Sequence, residues 1–516
     1  MPAKVFHAHL WGTRKHKYAR LRESSTAETD WTELDPDSPF YLLVPQNKEL
    51  IAEYRSAARV CDVMPINGMG ITSARDRMVT DFDASPLVQR AELFRSSPSS
   101  DRDVCEELGV ALKKGWDIPS ARATLRNEDD LRALVEPVEY RPFDRRLILY
   151  HDSLVWRPVR QLMCHLRQPG NLAIVSFRAI RELPWAHVFV GKHLFMKEYA
   201  SGLDNCFGFP VYVYPQLENT SSTQRELLFA GPFPPSPAGR VPNLSPEFVA
   251  AMAERLGLTF VSDGVGDLGL GSAGAARNAA VPAARASGDA GVTRSAAVPA
   301  AGASGDAGSA GTFGPEDVFH YIYAVFHAPT YRARYAEFLK IDFPRVPLTS
   351  DLELFRALCG LGADLVALHL LEDDYAHASW VKAGEPCPLA SPITRYPVPG
   401  DNTVAKGHPK YLPPGTQNPE PGTRNPLPSG RVYISKDDRR AGTQGQYFEG
   451  VPPEVWGFHI GGYQVCEKWL KDRRGRRLSF EDLTHYQRVV VALRETIRLM
   501  SEVDAAIEAH GGWPIR

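Results

Sequence analysis

The sequence predicts an α+β fold in which a strand-rich part is followed by a helical part, with a low-complexity insertion between them. After residue 140, short runs of β-branched and aromatic residues alternate with Pro, Gly and Asn, a pattern typical of strands. After residue 313, apolar residues recur at the three- and four-residue spacing of helices. Residues 264–311, which separate the two patterns, are almost all Ala, Gly, Ser, Asp, Val or Pro.

The composition is that of a globular protein with a buried core. The chain has 516 residues, of which 43% are hydrophobic, too many for a disordered chain. At roughly 100–200 residues per domain, this length predicts two to four domains. The seven cysteines form no CxxC pair, so we expect no disulfide framework, no zinc site and a reducing, cytoplasmic location. We also expect no signal peptide and no membrane span, because the sequence lacks the long apolar runs that both require.

Four runs are the predicted strands of the first part. Each is rich in β-branched or aromatic residues and is short enough for a single strand. They are LILY (147–150), NLAIVSF (171–177), HVFV (187–190) and FPVYVYP (209–215).

The insertion carries an internal repeat. RNAAVPAARASGDAGVT begins at Arg277 and RSAAVPAAGASGDAGSA begins at Arg294, a period of 17 residues. Neither copy has bulky apolar side chains, so ordering it would cost conformational entropy without burying a core. We therefore predict a disordered, flexible insertion. A second loop-like region, rich in Pro and Gly, runs from 386 to 430.

Two helix starts are predicted in the second part. Ser350 and Glu353 have the spacing of a capping box in front of LELFRALCGLGADLVALHLL, and Ser479 and Asp482 repeat that spacing further on. The second helix is predicted to bury one stripe of side chains. That stripe is Leu483, Tyr486, Val490, Leu493, Ile497 and Met500.

No complete catalytic motif is present in the sequence. The patterns GxSxG, HExxH and GxxxxGK[ST] are absent. An adenine DNA methyltransferase needs a Gly-containing loop for S-adenosylmethionine and an Asn/Asp-Pro-Pro-aromatic loop for the flipped base, and neither occurs. His7, His9 and His16 fit a polar basic segment better than a metal site, since no Cys or acidic cluster accompanies them. We therefore expect no catalytic residue, no metal and no cofactor in this chain.

Positive charge is concentrated in three segments, although the formal net charge is only −2. Met1–Arg20 and Cys466–Arg477 are basic, and Glu139–Arg181 has eight arginines against three acids. Guanidinium groups donate paired hydrogen bonds to phosphate and to guanine, and interleaved aromatic rings can stack on bases. Glu139–Arg181 therefore predicts DNA binding. The eight arginines are Arg141, Arg145, Arg146, Arg157, Arg160, Arg167, Arg178 and Arg181.

A structural interpretation of this segment stays open. The arginines would then form buried ion pairs, as Arg145 with Asp144, and the aromatic residues would belong to the core. The aromatic residues in question are Tyr140, Phe143 and Tyr150.

A Gly-flanked loop before this segment is a second candidate for DNA contact. Within NGMGITSARDRMVTDFD, the residues Thr72, Arg75 and Asp76 have the polarity to contact a duplex. The alternative is a polar turn between two strands.

Seven blocks in this order resemble a known family, namely the C-terminal target-recognition region of the Type ISP restriction–modification enzymes and related N6-adenine DNA methyltransferases. The blocks cover nearly the whole chain, and the repeat insertion is not expected in that family. They are FHAHLWGTRKHKY (from Phe6), GITSARD (from Gly70), YRPFDRR (from Tyr140), LVWRPVRQ (from Leu154), FPVYVYP (from Phe209), FGPEDVFHYIYAVFHAPTYRARYAEFLKIDFPRVP (from Phe313) and QYFEGVPPEVWGFHIGGYQVCEKWLKDRRGRRLSFEDLTHYQRVVVALRET (from Gln446).

The resemblance implies recognition by this chain and catalysis elsewhere. In full-length relatives this region follows a methyltransferase domain, which follows nuclease, helicase-like ATPase and coupling domains. Met1 would fall just beyond the methyltransferase catalytic loop, as in a split or truncated gene, and Val5–Asp83 would be the tail of that domain. The implied partners are double-stranded DNA and a chain with methyltransferase, helicase and nuclease domains, on which S-adenosylmethionine would bind.

These inferences give one hypothesis: the chain is the specificity domain of a Type ISP-like adenine methyltransferase in phage defence. Its predicted parts are a connector (1–90), a recognition domain in two parts (91–263 and 313–516) and the linker between them (264–312). Two alternatives stay open, a divergent or split methyltransferase and a protein-interaction adaptor or decayed fragment. The predicted DNA-binding residues are Thr72, Arg75, Asp76, Arg141, Arg145, Arg146, Trp156, Arg157, Arg160 and Arg178.

Overall fold

Contacts divide the chain into two units, Met1–Ala57 and Ala58–Arg516. The computed structural model describes residues 3–38, 41–112, 115–181, 184–214, 239–268, 311–395, 401–418, 425–436 and 445–516.

The first unit exposes much of its apolar surface. Trp11 is 74% exposed and Phe6 is 49% exposed. Thr13 caps the first helix by accepting a hydrogen bond from the backbone N–H of His16 at 3.3 Å, and that helix buries none of its residues. The elements of this unit are β1 (Val5–His7), α1 (Arg14–Glu23), β2 (Thr32–Leu34), antiparallel to β1, and α2 (Lys48–Ser56).

The second unit begins with short strands and helices and continues into the strand-rich part. Its first elements are β3 (Ala58–Arg59), α3 (Val60–Val63), β4 (Gly68–Met69), α4 (Asp76–Val79), β5 (Thr80–Asp81), α5 (Ala84–Ser96), α6 (Asp101–Glu107), α7 (Ile118–Arg126) and a 3-10 helix (Leu131–Leu134). The strand-rich part contains β6 (Val135–Arg141), β7 (Asp144–Leu149), α8 (Arg160–Leu166), β8 (Ala173–Phe177), β9 (Val188–Gly191), β10 (Leu194–Phe195), β11 (Cys206–Pro210), β12 (Tyr212–Val213), β13 (Val241–Pro242), α9 (Pro246–Leu256) and β14 (Thr259–Phe260).

The helical part follows the insertion. It contains β15 (Thr312–Phe313), α10 (Pro315–His327), α11 (Pro329–Arg334), α12 (Ala336–Leu339), β16 (Arg345–Val346), α13 (Leu352–Leu370), α14 (Ser379–Ala383), a 3-10 helix (Pro388–Ala390), β17 (Lys410–Leu412), β18 (Arg431–Tyr433), β19 (Tyr447–Glu449), α15 (Pro453–Trp456), β20 (His459–Ile460), β21 (Tyr463–Gln464), α16 (Val465–Lys471) and α17 (Phe480–Ala509). The predicted α+β class is confirmed.

Two four-stranded sheets form most of the strand-rich part. One has the order β10–β6–β7–β5, in which β6 and β7 form an antiparallel hairpin and β10 runs parallel to β6. The other has the order β4–β11–β8–β9 and is antiparallel throughout. The four predicted strand runs lie on β7, β8, β9 and the pair β11 and β12, so these predictions are confirmed. All five residues of β8 are buried, which explains why its run is apolar on both faces.

Three helices build the core of the helical part. α13 packs against both α10 and α17. Almost every residue of α10 is buried, as its apolar sequence requires. Gly362 on α13 permits the close approach of the first pair, because a Cβ at this position would overlap the carbonyl oxygen of His320 on α10. A Cβ at Gly360, two residues earlier on the same helix, would meet nothing within 4 Å.

One predicted helix start is confirmed and the other is wrong by one residue. Asp482 N–H donates to Ser479 Oγ at 3.1 Å and Ser479 N–H donates to the Asp482 carboxylate at 3.0 Å, which is the predicted capping box of α17. At α13 the N-cap is Asp351, which accepts from the N–H of Leu354 at 3.0 Å. Asp caps a helix as well as Ser does. Ser350 N–H donates to the carbonyl of Arg516, the last residue, at 2.8 Å.

The two ends of the insertion meet in the fold. β14 and β15 pair in parallel, with Thr259 opposite Thr312. Thr312 N–H also donates to the carbonyl of Asp267 at 2.5 Å. The two ends of the described chain on either side of the insertion therefore lie next to each other. The predicted disordered linker is too long at both ends, because Gly266 N–H donates to Asp317 at 2.7 Å and Thr312 belongs to β15. The repeat from Arg277 and the rest of the linker, residues 269–310, lie outside the described residues.

Residues 58–90 belong to the second unit through strand pairing. β3 pairs with β16 of the helical part, and β4 pairs with β11 of the strand-rich part. The predicted boundary at residue 90, and the division of the recognition domain into two parts, stay predictions.

Candidate nucleic-acid interface

The basic segment Glu139–Arg181 starts on the β6–β7 hairpin, where aromatic residues support the turn. Phe143 has a φ of +59° and is 6% exposed, and Tyr150 is 4% exposed. Tyr140 is half-buried, and its hydroxyl donates to the carboxylate of Asp76 at 3.0 Å. Phe143 and Tyr150 therefore belong to the core, as the structural interpretation of this segment expected.

Five of the eight arginines in this segment form ion pairs within the described part of the chain. Most of the carboxylates come from outside the segment, so folding neutralises much of the charge that is concentrated in the sequence. The pairs are Arg146 with Asp144 and Asp472, Arg160 with Asp152, Arg167 with Glu136, Arg178 with Asp342, and Arg181 with Asp204.

Arg141, Arg145 and Arg157 have no carboxylate partner among the residues that the structure describes. Arg145 and Arg157 are exposed. Arg141 is half-buried and donates to the carbonyl of Tyr140 at 2.9 Å. A guanidinium without a carboxylate partner keeps its donors available for a phosphate or a base edge.

Arg146 belongs to a buried ion cluster. Its guanidinium lies 2.8 Å from Asp144 and 3.3 Å from Asp472, and its side chain is 13% exposed. It stacks over the ring of Tyr140 at 3.8 Å. Asp144 is also paired with Arg473 at 2.8 Å. Arg146 thus joins the hairpin to the helical part, an arrangement that leaves its donors occupied.

The two predicted DNA-contact loops lie side by side. Thr72 N–H donates to Arg157 O at 3.1 Å and Arg157 N–H donates to Thr72 O at 3.0 Å, an isolated antiparallel bridge. Trp156 N–H donates to Ser73 O at 3.2 Å. The Trp156 ring is 41% exposed, next to the exposed side chain of Arg157. The fold therefore brings an indole, a free guanidinium and a threonine to one place on the surface.

Arg75 and Asp76 shape the loop that carries Thr72. Arg75 is 5% exposed, donates to Leu154 O at 2.6 Å and stacks over the Trp116 ring at 3.8 Å. Burial lowers the pKa of Arg75 to about 10. Asp76 is exposed and accepts hydrogen bonds from Tyr140 and from the hydroxyl of Ser73. Ala74, between Ser73 and Arg75, has a φ of +57°, so the loop is sharply turned.

Arg160 and Arg178 are paired but reachable from solvent. Arg160 lies 2.6 Å from Asp152 and stacks over the Tyr150 ring at 4.6 Å. Arg178 lies 3.5 Å from Asp342, and its side chain is 61% exposed. The Arg160–Asp152 pair is exposed and contributes little free energy, so a phosphate can replace Asp152. Asp342 is buried, so only the guanidinium side of the Arg178 pair faces solvent.

Two cavities flank the β6–β7 hairpin, and the neighbours Arg145 and Arg146 on β7 line different ones because they point to opposite faces of the strand. One has a volume of about 410 Å³ and is lined by Glu139, Phe143 and Arg145 of the hairpin. Most of its charges are paired, as Glu139 is with His193 at 2.8 Å. The other has a volume of about 290 Å³ and is lined by Tyr140, Arg141 and Arg146 of the hairpin together with Ala200, Ser201, Gly202, Gly462, Tyr463, Lys468 and Asp472.

Lys468 is a residue that the sequence analysis did not place in the site. It is exposed, has no ion pair among the described residues, and lines the 290 Å³ cavity. The basic run Cys466–Arg477 was the sequence signal that could have identified it. Other cations of that run, such as Lys471, Arg473 and Arg474, bind groups within the protein. Gly461 packs closely, since a Cβ at this position would lie 2.5 Å from the carbonyl oxygen of Ala200.

The described residues contain no group of three or more His, Cys, Asp or Glu side chains placed to hold a metal ion. His7 and His9 approach each other to 3.4 Å, without a third ligand. Within the described part of the chain, no helix has both the length and the apolar character needed to cross a bilayer.

The family model described as "Type ISP C-terminal specificity domain" matches residues 62–502, most of the chain. No curated protein sequence matches it.

Several solved structures share the fold. A nuclease-deletion mutant of the Type ISP restriction–modification enzyme LlaGI, in complex with a DNA substrate mimic, has a TM-score of 0.56 and 14% identity over 97% of this chain and 33% of that one. A DrdV–DNA complex has a TM-score of 0.56 and 16% identity over 95% and 42%. The ATP-dependent Type ISP enzyme LlaBIII, bound to DNA, has a TM-score of 0.55 and 13% identity over 95% and 27%. The chain spans less than half the length of each of these proteins.

Proposed function

The chain belongs to the family described as the Type ISP C-terminal specificity domain, and we therefore propose that it recognises the DNA target of a restriction–modification enzyme. The similar structures support this proposal, since each was solved with DNA or a DNA mimic. In this proposal S-adenosylmethionine binding, methyl transfer, ATP hydrolysis and cleavage belong to other domains or to a partner chain. The complete system would act against phage DNA in the cytoplasm.

The proposed centre of the DNA contact is formed by Thr72, Trp156 and Arg157. The main support is the backbone bridge between Thr72 and Arg157, which brings two distant polar loops together around an exposed indole. Among the described residues, the Arg157 guanidinium has no carboxylate partner that it would have to leave before it binds DNA. Arg145 and Arg141 extend the free positive charge along the hairpin.

The remaining predicted residues receive different parts in the proposal. Arg75, Asp76 and Arg146 hold the contact loops and the hairpin in place, because their polar atoms are engaged within the protein. Arg160 exchanges its surface carboxylate for a phosphate, and the exposed guanidinium of Arg178 contacts a phosphate while it stays beside the buried Asp342. Phosphate contacts outnumber base contacts in protein–DNA complexes, so most of these arginines should contribute affinity and few should contribute sequence specificity.

The test is a fluorescence-anisotropy titration of the full chain on duplex DNA at several salt concentrations. We expect log K to fall linearly with log salt, with a slope of about −0.9 for each phosphate contact. Arg157→Ala should weaken binding and make the slope shallower by about one unit. The matched control is Arg102→Ala on α6, which removes an exposed arginine that has no ion pair among the described residues and lies outside the two bridged loops.

Weak binding that does not depend on salt would contradict DNA recognition by this chain. Equal losses for Arg157→Ala and Arg102→Ala would contradict the proposed centre and leave the general function intact.

A second proposal concerns the first unit, Met1–Ala57. We propose that its exposed apolar residues pack against the methyltransferase domain of the complete enzyme. Trp11 is 74% exposed, Leu21 63% and Trp31 45%. Apolar surface of this extent usually marks a protein interface. The chain also spans only 33% of the LlaGI structure, so similar proteins have further domains that such a surface could meet.

Isothermal titration calorimetry with a separately produced methyltransferase region tests this interface. We expect Trp11→Ser combined with Leu21→Ser to weaken association by about tenfold or more, because tryptophan is enriched among the few interface residues whose truncation costs about 2 kcal/mol or more. The Arg102→Ala chain should bind as the wild type does. Wild-type affinity for the double variant, or no association at all, would contradict the proposal.

A further inference from the structure

We propose that the 290 Å³ cavity between the β6–β7 hairpin and the β20–β21 turn binds a phosphate group. For a phosphate of the DNA backbone this inference rests on the proposed function, and for a free phosphate it stands independently. Three cations and one carboxylate line the cavity, namely Arg141, Arg146, Lys468 and Asp472. The balance of charge therefore favours an anion.

Two of these cations lack an acidic partner. Asp472 is engaged by Arg146 at 3.3 Å. Arg141 on β6 donates only to a carbonyl, and Lys468 on α16 has no partner among the described residues. Arg141 acts on Asp472 electrostatically, so this one carboxylate is shared by Arg141 and Arg146, and the cavity keeps an excess of positive charge that an anion would offset.

Tyr463 provides an independent sign of a missing ligand. It is 6% exposed and lines the cavity, and its buried hydroxyl has no hydrogen-bond partner within the described part of the chain. A buried hydroxyl without a partner costs free energy, so such groups need an explanation. Burial raises the pKa of Tyr463 well above its usual value, so at neutral pH the hydroxyl remains a donor.

The donors are suited to a tetrahedral oxyanion. Arg141, Lys468 and Tyr463 line the cavity from β6, α16 and β21, three separate elements, and the guanidinium and ammonium groups supply the positive charge. A phosphate presents several acceptor oxygens in different directions, and charge-assisted hydrogen bonds to it are strong. The β20–β21 turn is fixed in place, because Gly461 N–H donates to Ala186 O at 2.8 Å and Gly462 N–H donates to Ala200 O at 2.9 Å.

The cavity adjoins the proposed DNA contact. Tyr140 lines it, and the hydroxyl of Tyr140 donates to Asp76 in the loop that carries Thr72. A duplex held at Thr72 and Arg157 would have its sugar–phosphate backbone nearby. The backbone phosphodiester is therefore the first source to test, with inorganic phosphate as the second.

Two kinds of variant probe the cavity in the full chain. Tyr463→Phe removes only the unpartnered hydroxyl. Gly202→Glu adds a carboxylate at the cavity, where a new Cβ meets nothing within 4 Å, and Gly202→Gln fills the same volume without charge. Because a charged hydrogen bond is lost or opposed, we expect Tyr463→Phe to weaken duplex binding on the order of tenfold, and Gly202→Glu to bind about tenfold more weakly than Gly202→Gln.

Thermal unfolding in inorganic phosphate, at matched ionic strength with chloride, is the second arm. A ligand that binds the folded state raises Tm, so phosphate should raise the Tm of the wild type more than that of Tyr463→Phe. An effect on duplex affinity alone assigns the cavity to a DNA phosphodiester, and an effect in the phosphate arm alone assigns it to a free phosphate. Wild-type behaviour of Tyr463→Phe and Gly202→Glu in both arms overturns the proposal. If the wild type binds no duplex, the phosphate arm decides alone.

Discussion

The carboxylate of Asp144, at the start of β7, accepts a hydrogen bond of 2.8 Å from Arg473, which lies 329 residues later in the chain. Both side chains are buried, with exposures of 0% and 5%. The Arg473 guanidinium also stacks over the Trp469 ring at 3.5 Å. This pair joins the strand-rich part to the helical part through the hairpin that carries the free arginines.

We predict that Asp144→Ala lowers the free energy of unfolding by about 3–5 kcal/mol, because Arg146 and Arg473 then remain buried without their carboxylate. Urea denaturation of the two proteins measures the difference. The control is Asp152→Ala, which removes the 62% exposed partner of Arg160 and should change stability by less than about 1 kcal/mol. Similar losses of unfolding free energy for the two variants would contradict the prediction that the Asp144 cluster stabilises the fold more than an exposed ion pair does.

Two glycines of α13 provide a matched test of helix packing. Gly362→Ala places a methyl group against the His320 carbonyl, and we expect a loss of about 1–3 kcal/mol from overpacking. Gly360→Ala has open space around the new Cβ, and we expect a gain of up to about 1 kcal/mol from helix propensity. Thermal or urea unfolding distinguishes them. A Gly362→Ala protein as stable as the wild type would mean that α10 and α13 can separate slightly without cost.

Substitutions of the two neighbouring arginines on β7 should affect different properties, DNA affinity for Arg145 and stability for Arg146. Arg145 is exposed and unpaired among the described residues, so Arg145→Ala should weaken duplex binding severalfold, as a lost phosphate contact does, with unchanged stability. Arg146 is held by Asp144 and Asp472, so Arg146→Ala should lower the free energy of unfolding. Anisotropy and urea denaturation on both variants test this. The same pattern of losses in both would contradict the alternation of faces.

Buried histidines predict a loss of stability in mild acid. Burial lowers the pKa of His165 and His187 to about 4 each and that of His369 to about 3. In the unfolded chain histidines titrate near about 6.5. Between these values the unfolded state binds more protons, so the free energy of unfolding falls as the pH drops from about 7 to about 4, by up to about 1.4 kcal/mol per pH unit for each histidine.

Asp317 opposes this trend by one proton. Burial raises its pKa to about 6, so the folded state holds a proton there that the unfolded state has lost. The histidines outnumber it, and the net slope should remain positive with pH. Urea denaturation at several pH values measures the slope, and His187→Leu should reduce it. A free energy of unfolding that stays constant from about pH 7 to about pH 5 would contradict the prediction.

The strands, the α17 cap and the α+β class were predictable because they depend on local patterns. The run at β8 is mostly apolar on both faces. Ser479 and Asp482, which form the capping box of α17, lie within four residues of each other. The α13 cap at Asp351 was missed by one position, because Ser350 and Asp351 are both good caps and only the tertiary contact of Ser350 with Arg516 separates them.

Which arginines form ion pairs was not predictable from local sequence. Arg178 and Asp342, or Arg146 and Asp472, are far apart in the chain, and only the fold shows that they pair. Sequence alone therefore could not separate the paired guanidinium groups from those of Arg141, Arg145 and Arg157, which have no carboxylate partner among the described residues. Lys468 was missed for the same reason, since its cavity is shared by the hairpin and a turn from the other end of the chain.

The parallel pairing of β14 with β15 has a consequence for how this gene can change. Because β14 and β15 are paired, adding or deleting a 17-residue copy of the repeat changes only the number of residues between two neighbouring strands. By the loop-closure relation, a doubling of that number would cost only about 0.6 kcal/mol. We therefore expect chains with one or three copies of the repeat to keep the β14–β15 pairing, and a reporter domain could be inserted at the same place.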